Sequence, residues 1–446
     1  MNPRKFHTAT EEEIKNAETS DVYFERTKEI LEKEGLSDIH VTAEITTGSL
    51  PKNWEWGILA GIEEASHLLE GLNIRVRSFP EGTLFRPVDS SGVREPVMII
   101  EGRYLDFCLY ETPLLGLLCQ ASGIATMASR VRRAAGTKTV FSFGIRRAHP
   151  ALAPMIDRAC FIGGFDAVSS MIGAKLLGKS PTGTMPHSLI IAIGDQIRAW
   201  KSFDKYMPKE VPRIALVDTY YDEKTESIMA AQALGKSLYG VRLDTPSSRR
   251  GNFQEIIREV RWELDSRGFK DVKIFVSGGL DDESVRTLSE AGADGFGVGT
   301  SVSNAPVVDF ALDIVEKEGR SVAKRGKLGG KKEVWRCDKC LLDYVLLEGE
   351  HSPSCSNCGN KTKPLLDKLL ESGRPSGPLP APDKIREQDN DRHPRLRFSD
   401  QGCGISIADG RCAISHQTPP GPAPDRPRAA RRAVLQPHDR AGSGGV

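Results

Sequence analysis

The chain has 446 residues, and its charge is nearly balanced because 61 Lys and Arg residues offset 60 Asp and Glu residues, leaving +1. This length allows two or three domains, and the composition is typical of soluble globular proteins. The balance gives no general attraction to nucleic acid or membranes, so we expect neither partner. The amino terminus lacks a signal-like apolar segment, and no run approaches about 18 apolar residues, so we expect a cytoplasmic protein.

The first 111 residues predict an α+β domain. Residues 25–34 have helical spacing, whereas residues 74–77 and 96–102 are rich in the apolar residues of strands. A further helix over residues 114–134 is expected to connect this domain to the next one.

Residues 112–305 alternate short β-rich segments with longer helical ones, which predicts a (β/α) barrel around a parallel sheet. Glycines and polar residues follow the predicted strands, and barrel enzymes carry their active sites at the carboxyl ends of strands. A doubly wound sheet is the alternative, but no G-x-G-x-x-G sequence opens a helix here. The six predicted strands cover residues 139–143, 167–169, 213–217, 239–243, 272–276 and 295–298.

Residues 181–188 form a loop of Pro, Gly, Thr and Ser that contains His187 near its end. Glycine allows backbone N–H groups to approach a phosphate, and an imidazole can accept a phosphoryl group as a nucleophile. A loop histidine is more commonly a surface or hydrogen-bonded residue, so its assignment depends on the rest of the chain.

Four cysteines follow residues 306–330, a segment that is expected to return to the N-terminal domain. Their spacing, C-x2-C-x14-C-x2-C, predicts a closed tetrahedral Zn²⁺ site with a structural role in a small domain over residues 331–372. Two disulfides are the alternative and are unusual in a cytoplasmic protein. The four residues are Cys337, Cys340, Cys355 and Cys358.

From residue 373 to residue 446 Arg, Pro, Gly and Ala accumulate, which predicts a disordered or non-native tail. Cys403 and Cys412 lie in this segment near His393 and His416, where a second metal site is a weaker hypothesis.

Six short motifs, taken in order, resemble those of the nicotinate phosphoribosyltransferases, particularly the archaeal form with a zinc-knuckle extension. The resemblance runs from about residue 16 to residue 365. It implies a fold of the type II phosphoribosyltransferase kind, with an irregular (β/α) barrel, in a homo-oligomer with shared active sites. The motifs are TSDVY at 19–23, FPEG at 79–82, FGIRR at 143–147, GTMPHS at 183–188, VRLD at 241–244 and SGGL at 277–280.

The resemblance also implies a reaction. Nicotinate and phosphoribosyl pyrophosphate would give nicotinate mononucleotide and pyrophosphate in NAD salvage, coupled to ATP hydrolysis through a phosphorylated His187. Phe143 would stack on the pyridine ring, and Tyr23 of the partner subunit would cover its other face. Thr184 and Arg242 would fix the nicotinate and ribose ends.

The remaining implied roles concern phosphate and metal. Asp218 and Asp244 would hold Mg²⁺ and the ribose hydroxyls, since Mg²⁺ prefers hard oxygen ligands. Arg146 would bind phosphate, and glycine-rich loops would bind the 5′-phosphate through backbone and hydroxyl donors. Those loop residues are Gly278, Gly279, Gly299 and Thr300.

Three alternative functions stay open on the sequence. A nicotinamide phosphoribosyltransferase would share the barrel, the histidine and the phosphate loops. A quinolinate phosphoribosyltransferase would need a more basic pocket and no phosphorylatable histidine, so His187 argues against it. The third alternative is a zinc-ribbon interaction protein on an inactive barrel.

Overall fold

The computed structural model describes residues 5–392 of the chain. The strands of this part are β1 (His40–Thr47), β2 (Gly57–Ile58), β3 (Ile74–Ser78), β4 (Leu84–Phe85), β5 (Met98–Arg103), β6 (Thr139–Ser142), β7 (Ala167–Val168), β8 (Ile214–Leu216), β9 (Gly240–Leu243), β10 (Lys273–Ser277), β11 (Gly295–Val298), β12 (Phe310–Lys317), β13 (Arg320–Ser321), β14 (Lys332–Arg336), β15 (Asp343–Leu347), β16 (Lys363–Pro364), β17 (Asp367–Glu371) and β18 (Arg374–Pro375).

The helices of the same part are α1 (Glu11–Lys15), α2 (Val22–Lys33), α3 (Ile62–Leu69), α4 (Tyr104–Phe107), α5 (Glu111–Ala135), α6 (Ala153–Ile162), α7 (Met171–Leu176), α8 (His187–Ile193), α9 (Gln196–Tyr206), α10 (Glu223–Leu234), α11 (Ser247–Arg250), α12 (Phe253–Ser266), α13 (Asp282–Glu290), α14 (Thr300–Ser303) and α15 (Pro382–Arg392).

An antiparallel sheet of seven strands gathers three separate parts of the chain, in the order β13-β12-β1-β5-β3-β17-β18. Strand β1 is an inner strand with β12 and β5 as its neighbours, and it is buried from Val41 to Thr47. The segment after the barrel contributes β12 and β13. Strand β17 also belongs to this sheet, although the sequence assigned residues 367–371 to the small zinc domain.

Helix α5 is the core helix between this sheet and the barrel. Its Thr126 hydroxyl accepts a hydrogen bond of 2.8 Å from the backbone N–H of Ile58, and Ser122 accepts one of 3.0 Å from Ala60. Contrary to the sequence expectation, residues 104–135 are long and apolar enough to cross a membrane by length and composition. However, 67% of that apolar window is buried inside the protein, as in the core helix of a globular domain.

The second sheet is parallel and has six strands in the order β7-β6-β11-β10-β9-β8. Every strand lies within two residues of its predicted position, and the predicted barrel-like architecture is confirmed. In the described residues no ladder joins β7 to β8, so the barrel is open at that seam. Because the six strands are parallel, their carboxyl ends lie along one edge of the sheet.

An aromatic column fills the barrel between its two ends. Ring centroids of Phe141 and Phe143 are 6.0 Å apart, those of Phe141 and Phe275 are 5.9 Å apart, and Tyr239 lies 6.1 Å from Phe275. Gly297 makes room for the last ring, since a Cβ there would lie 2.4 Å from Phe143. The column ends at Phe143, which directly follows β6.

The sequence prediction of disorder from residue 373 was wrong for residues 373–392. Strand β18 pairs with β17, and Ile385 of α15 is buried against Gly82. Two ion pairs add to this contact, Lys179 with Asp383 at 2.8 Å and Arg386 with Asp166 at 2.7 Å. One strand pair and one apolar anchor thus order a segment whose composition alone indicated disorder. Residues 393–446, including the four Cys and His residues of the suggested second metal site, lie outside the described part.

Candidate active site

The carboxyl edge of the parallel sheet brings together the polar residues that follow its strands. Asp218 follows β8, Asp244 follows β9, and Ser277 ends β10. The loop after β7 leads to His187, the first residue of α8. Hydrogen bonds connect these side chains directly.

His187 forms a close pair with Asp218. Its Nε2 lies 2.9 Å from Asp218 Oδ1, and its Nδ1 lies 4.0 Å from Asp244 Oδ2. The Asp218 side chain is only 4% exposed, whereas that of His187 is 38% exposed. The hydrogen bond that the ring donates to Asp218 raises the pKa of His187, with the two carboxylate charges adding to the effect and partial burial opposing it. The imidazole is thus held at one nitrogen and open to solvent elsewhere.

Asp218 also links two neighbouring strand ends. Its second oxygen, Oδ2, accepts hydrogen bonds from the backbone N–H of Asp244 at 2.8 Å and from the Thr245 hydroxyl at 3.2 Å. The Thr245 hydroxyl is also within hydrogen-bonding distance of Glu223. Both oxygens of Asp218 therefore have protein donors. Its side chain is 4% exposed against 19% for Asp244, so Asp244 is the more accessible of the two predicted Mg²⁺ ligands.

Arg242 is a buried cation that connects residues 181–188, here called the histidine loop, to the parallel sheet. Its Nη2 donates to the backbone carbonyl of Met185 at 2.9 Å, and its Nη1 donates to Ser277 Oγ at 3.0 Å. Nη1 also lies 3.3 Å from Asp244 Oδ2, while Nε has no hydrogen-bond partner in the described residues. Burial lowers the pKa of Arg242, and the nearby carboxylates oppose that shift. An anionic group could therefore be recognised at this position with little competing water.

The two glycine-rich loops meet beside this cluster. Gly278 and Gly279 have φ angles of +90° and +66°, which glycine adopts without steric strain. The Ser301 hydroxyl donates a 2.6 Å hydrogen bond to the carbonyl of Leu280 and thereby joins the loop after β10 to the loop after β11. Gly299 and Thr300 lie in the second loop, at the start of α14.

The other predicted site residues differ in how close they lie to the cluster around His187 and Arg242. Phe143 lies at the edge, and Arg146 is exposed in the turn after it, close enough for its charge to influence Arg242. Thr184 is half-buried in the histidine loop. Tyr23 is exposed on α2, where its ring contacts Phe24 at a centroid distance of 4.3 Å. A single chain does not join Tyr23 to the cluster.

Sequence reasoning missed the residues that support this cluster. Ser277 donates to Asp244 Oδ1 at 2.7 Å, and Arg250 donates to the Gly278 carbonyl at 2.6 Å. Thr245 directly follows the VRLD motif and Ser277 begins the SGGL motif, so proximity to these motifs was a usable signal. Glu223 lies in the first turn of α10, where acidic residues are common in any helix.

A second cluster consists of the four predicted metal-ligating cysteines, here called the cysteine cluster. All its sulfur atoms lie within 4.8 Å of one another, and the Sγ atoms of Cys337 and Cys358 are 3.6 Å apart. A disulfide bond is about 2.05 Å long, whereas tetrahedral Zn–S bonds of about 2.3 Å separate sulfurs by about 3.8 Å. The thiols are free, and Leu341 and Gly359, which follow the two pairs, have the positive φ angles of tight knuckles. The cysteine cluster could therefore bind zinc.

Comparison with known proteins gives matches over most of the described chain. The family described as quinolinate phosphoribosyl transferase, N-terminal domain, matches residues 21–122, and its C-terminal domain matches residues 124–313. A nicotinate phosphoribosyltransferase of Mycobacterium tuberculosis is 31% identical over 316 residues, which cover 66% of this chain and 63% of that protein. The Bacillus subtilis nicotinate phosphoribosyltransferase is 32% identical over 263 residues, 54% of this chain and 52% of that protein. The chain thus spans less than two thirds of these two relatives.

Two solved structures extend the comparison. The nicotinate-nucleotide pyrophosphorylase of Pyrococcus furiosus is 55% identical, with a TM-score of 0.84 over 87% of this chain and 97% of that one. Human nicotinic acid phosphoribosyltransferase is 21% identical, with a TM-score of 0.64 over 84% and 94% of the two chains, and supports the fold alone.

The His187–Asp218 contact predicts a measurable titration. In Asp218→Asn the charged acceptor is lost, so the pKa of His187 should fall and the imidazole should lose its proton at lower pH than in the unchanged protein. Imidazole NMR shifts between about pH 5 and pH 9 would measure this, with the His187 signal assigned by its absence in His187→Ala. Asp222→Asn is the control, because Asp222 caps α10 and its hydrogen bonds go to Thr225. An unchanged His187 titration in Asp218→Asn would contradict the assigned contact.

Proposed function

The chain belongs to the nicotinate phosphoribosyltransferase family, and we propose that it transfers the phosphoribosyl group of phosphoribosyl pyrophosphate to nicotinate. The products are nicotinate mononucleotide and pyrophosphate, which places the reaction in NAD salvage. Pyrophosphorolysis of nicotinate nucleotide is the same reaction in reverse. The observation that carries this proposal is that hydrogen bonds and ion pairs connect four residues at one edge of the barrel, namely His187, Asp218, Asp244 and Arg242.

The transfer itself needs little acid or base chemistry. The pyridine nitrogen is already a nucleophile, so the protein has to orient the ring, stabilise positive charge developing at ribose C1 and stabilise the departing pyrophosphate. Phe143 offers a ring face at the end of the aromatic column. Arg242 and Arg146 supply positive charge for the carboxylate and phosphates, and Asp244 faces the cluster with an oxygen suited to ribose hydroxyls.

Mg²⁺ is the implied cofactor, and hard oxygen donors suit it. We assign Asp244 the larger part in holding it, because its side chain is 19% exposed whereas that of Asp218 is only 4% exposed. When bound, Mg²⁺ would neutralise charge on the pyrophosphate that leaves. The glycine-rich loops at 278–279 and 299–300 are proposed to hold the 5′-phosphate through backbone and hydroxyl donors.

ATP coupling is assigned to His187. Asp218 holds Nε2, so the other ring nitrogen is available to attack the γ-phosphate of ATP, which releases ADP. The carboxylate also stabilises positive charge on the imidazole in that step. Subsequent hydrolysis of the phosphorylated ring would give inorganic phosphate and return the histidine.

A second copy of the chain is proposed to complete the site. Tyr23 is exposed and lies on α2, apart from the cluster, and Met171, Ile172 and Leu176 expose an apolar face of α7 near the start of the histidine loop. Burial of such surfaces between two copies would remove apolar area from water. We also propose a cytoplasmic location, since the seven cysteines of the described residues are all free thiols.

Incubation with nicotinate, phosphoribosyl pyrophosphate and Mg²⁺ should yield nicotinate mononucleotide without ATP and more of it with ATP. His187→Ala should abolish both an acid-labile phosphate on the protein and the ATP gain, while basal transfer persists, since the transfer does not use the imidazole as a base. Labelling with γ-phosphate-labelled ATP and chromatography of the nucleotide would measure these effects. The control is His149→Ala, an exposed histidine that caps a short turn.

Parallel assays with nicotinamide and quinolinate separate the remaining phosphoribosyltransferase functions, the latter being included because the matched domain families carry its name. Faster turnover of either compound would replace the proposed substrate. A phosphate label that persists in His187→Ala would contradict the assigned acceptor. Lack of transfer with every acceptor would favour a zinc-ribbon protein on an inactive barrel.

The cysteine cluster is proposed to hold a structural Zn²⁺ that stabilises the chain around β14 and β15. The adjacent Arg336–Asp343 ion pair is buried, and Arg336 also connects these strands to the Leu84 carbonyl of β4. We expect about one Zn²⁺ per chain by elemental analysis, and loss of the metal with a lower melting temperature in Cys355→Ser. Cys119→Ser, outside the cluster, should retain the metal. Equal zinc content in both variants would refute this assignment.

Mixing two defective variants would test the shared site. Tyr23→Ala should raise KM for nicotinate, and His187→Ala should lose ATP stimulation. After dissociation and reassembly, a hybrid dimer contains one site with both residues intact. Random mixing should therefore restore about a quarter of the ATP-stimulated sites. Activity equal to the sum of the separate variants would instead indicate that each chain acts alone.

A further inference from the structure

A buried carboxylate lies behind the active edge and has no part in the proposed chemistry. Asp157 of α6 is completely buried. Its Oδ1 accepts a 2.9 Å hydrogen bond from the Ser142 hydroxyl, and its Oδ2 accepts hydrogen bonds from the hydroxyl of Ser170 at 2.5 Å and the backbone N–H of Ser170 at 3.2 Å. One carboxylate thus contacts two separate segments of chain.

No basic side chain among residues 5–392 forms an ion pair with Asp157. Burial raises the pKa of Asp157, and hydrogen bonds from Ser170 and Ser142 oppose that shift. A buried carboxyl group without a cation is costly to keep, so hydrogen bonds from both serines are needed to stabilise it. Gly173 shows how closely it is enclosed, since a Cβ at that position would lie 2.6 Å from Asp157 Oδ2.

The two serines stand at positions that lead directly into the active site. Ser142 is the last residue of β6 and precedes Phe143, whose backbone N–H donates to the Val298 carbonyl at 2.8 Å. Ser170 follows β7 and caps α7, its hydroxyl accepting a 2.9 Å hydrogen bond from Gly173 N–H.

The histidine loop is anchored next to Ser170. After α7 the chain turns back, and the N–H of Thr182 donates to the Val168 carbonyl of β7 at 2.9 Å. The position of β7 and of the α7 cap therefore determines where the loop begins its path to His187.

We propose that Asp157 is a positioning residue that joins the carboxyl ends of β6 and β7. It thereby fixes the position of Phe143, the proposed nicotinate-stacking ring, relative to the histidine loop. The assignment of substrate to Phe143 and of phosphate to His187 rests on the proposed function. Through Ser142, Asp157 orients the strand end that carries Phe143. Through Ser170, it fixes the cap from which the histidine loop departs.

The two connections can be separated by substitution. Ser142→Ala should raise KM for nicotinate about ten- to 150-fold, the range for loss of a hydrogen bond to a charged group, and leave the rate of His187 phosphorylation unchanged. Ser170→Ala should slow phosphorylation by a similar factor and leave KM for nicotinate unchanged. Asp157→Ala should do both, whereas Asp157→Asn, which keeps the shape and one oxygen acceptor, should recover most of each loss.

The matched control is Asn252→Ala, which removes another helix cap, that of α12, with no contact to the cluster. It should lower stability without changing either kinetic constant. If Ser142→Ala and Ser170→Ala behave like this control, Asp157 serves stability alone and the proposal is wrong. The single-serine variants keep the test valid if Asp157→Ala does not fold.

Amide hydrogen exchange supplies a readout that does not depend on catalysis. Ser142→Ala should speed exchange at Phe143, and Ser170→Ala should speed exchange at Thr182, each without change at the other position. Unchanged exchange at both amides would overturn the proposal. If the unchanged protein makes no nicotinate mononucleotide, the proposed function fails while these exchange rates still decide whether Asp157 connects the two strand ends.

Discussion

The candidate site depends on the carboxylate of Asp218, which holds a side chain and a strand end at once. Its Oδ1 contacts His187, and its Oδ2 accepts the backbone N–H of Asp244. Because the group is almost fully buried, its hydrogen bonds are worth more than they would be in water. Arg242 extends this network, because it donates hydrogen bonds to Ser277 Oγ and to the Met185 carbonyl. Imidazole, carboxylates and guanidinium thus form one network rather than separate ligands.

The barrel interior constrains the same site through steric fit. Gly295 and Gly297 of β11 leave the space that Phe275 and Phe143 occupy, since a Cβ at either glycine would approach a ring to about 2.5 Å or less. In the sequence these glycines are ordinary strand residues, yet Gly295 leaves room for the Phe275 ring and Gly297 for the Phe143 ring. The position of the Phe143 ring is therefore constrained by the neighbouring strand.

Much of the fold and part of the site could be predicted from the sequence. The six barrel strands were found because β-rich runs alternate with helical ones, and strand-end residues such as Asp218 and Asp244 were found because parallel strands end together. Contacts that depend on side-chain direction, such as that of Asp157 with its serines, leave no periodic signal. The ordered α15 was missed because composition does not reveal a single buried anchor such as Ile385.

The seven-stranded sheet has a consequence for how the molecule is made. Its strands come from residues 40–103, 310–321 and 367–375, so the whole barrel is inserted between two strands of one sheet. Strand β1 cannot pair with β12, nor β3 with β17, until the ribosome has produced roughly 260 to 295 further residues. Pairings this distant in sequence close slowly, because the chain entropy must be lost before the contacts form. Until then β1 and β3 have unpaired edges, which makes the growing chain dependent on protection from association.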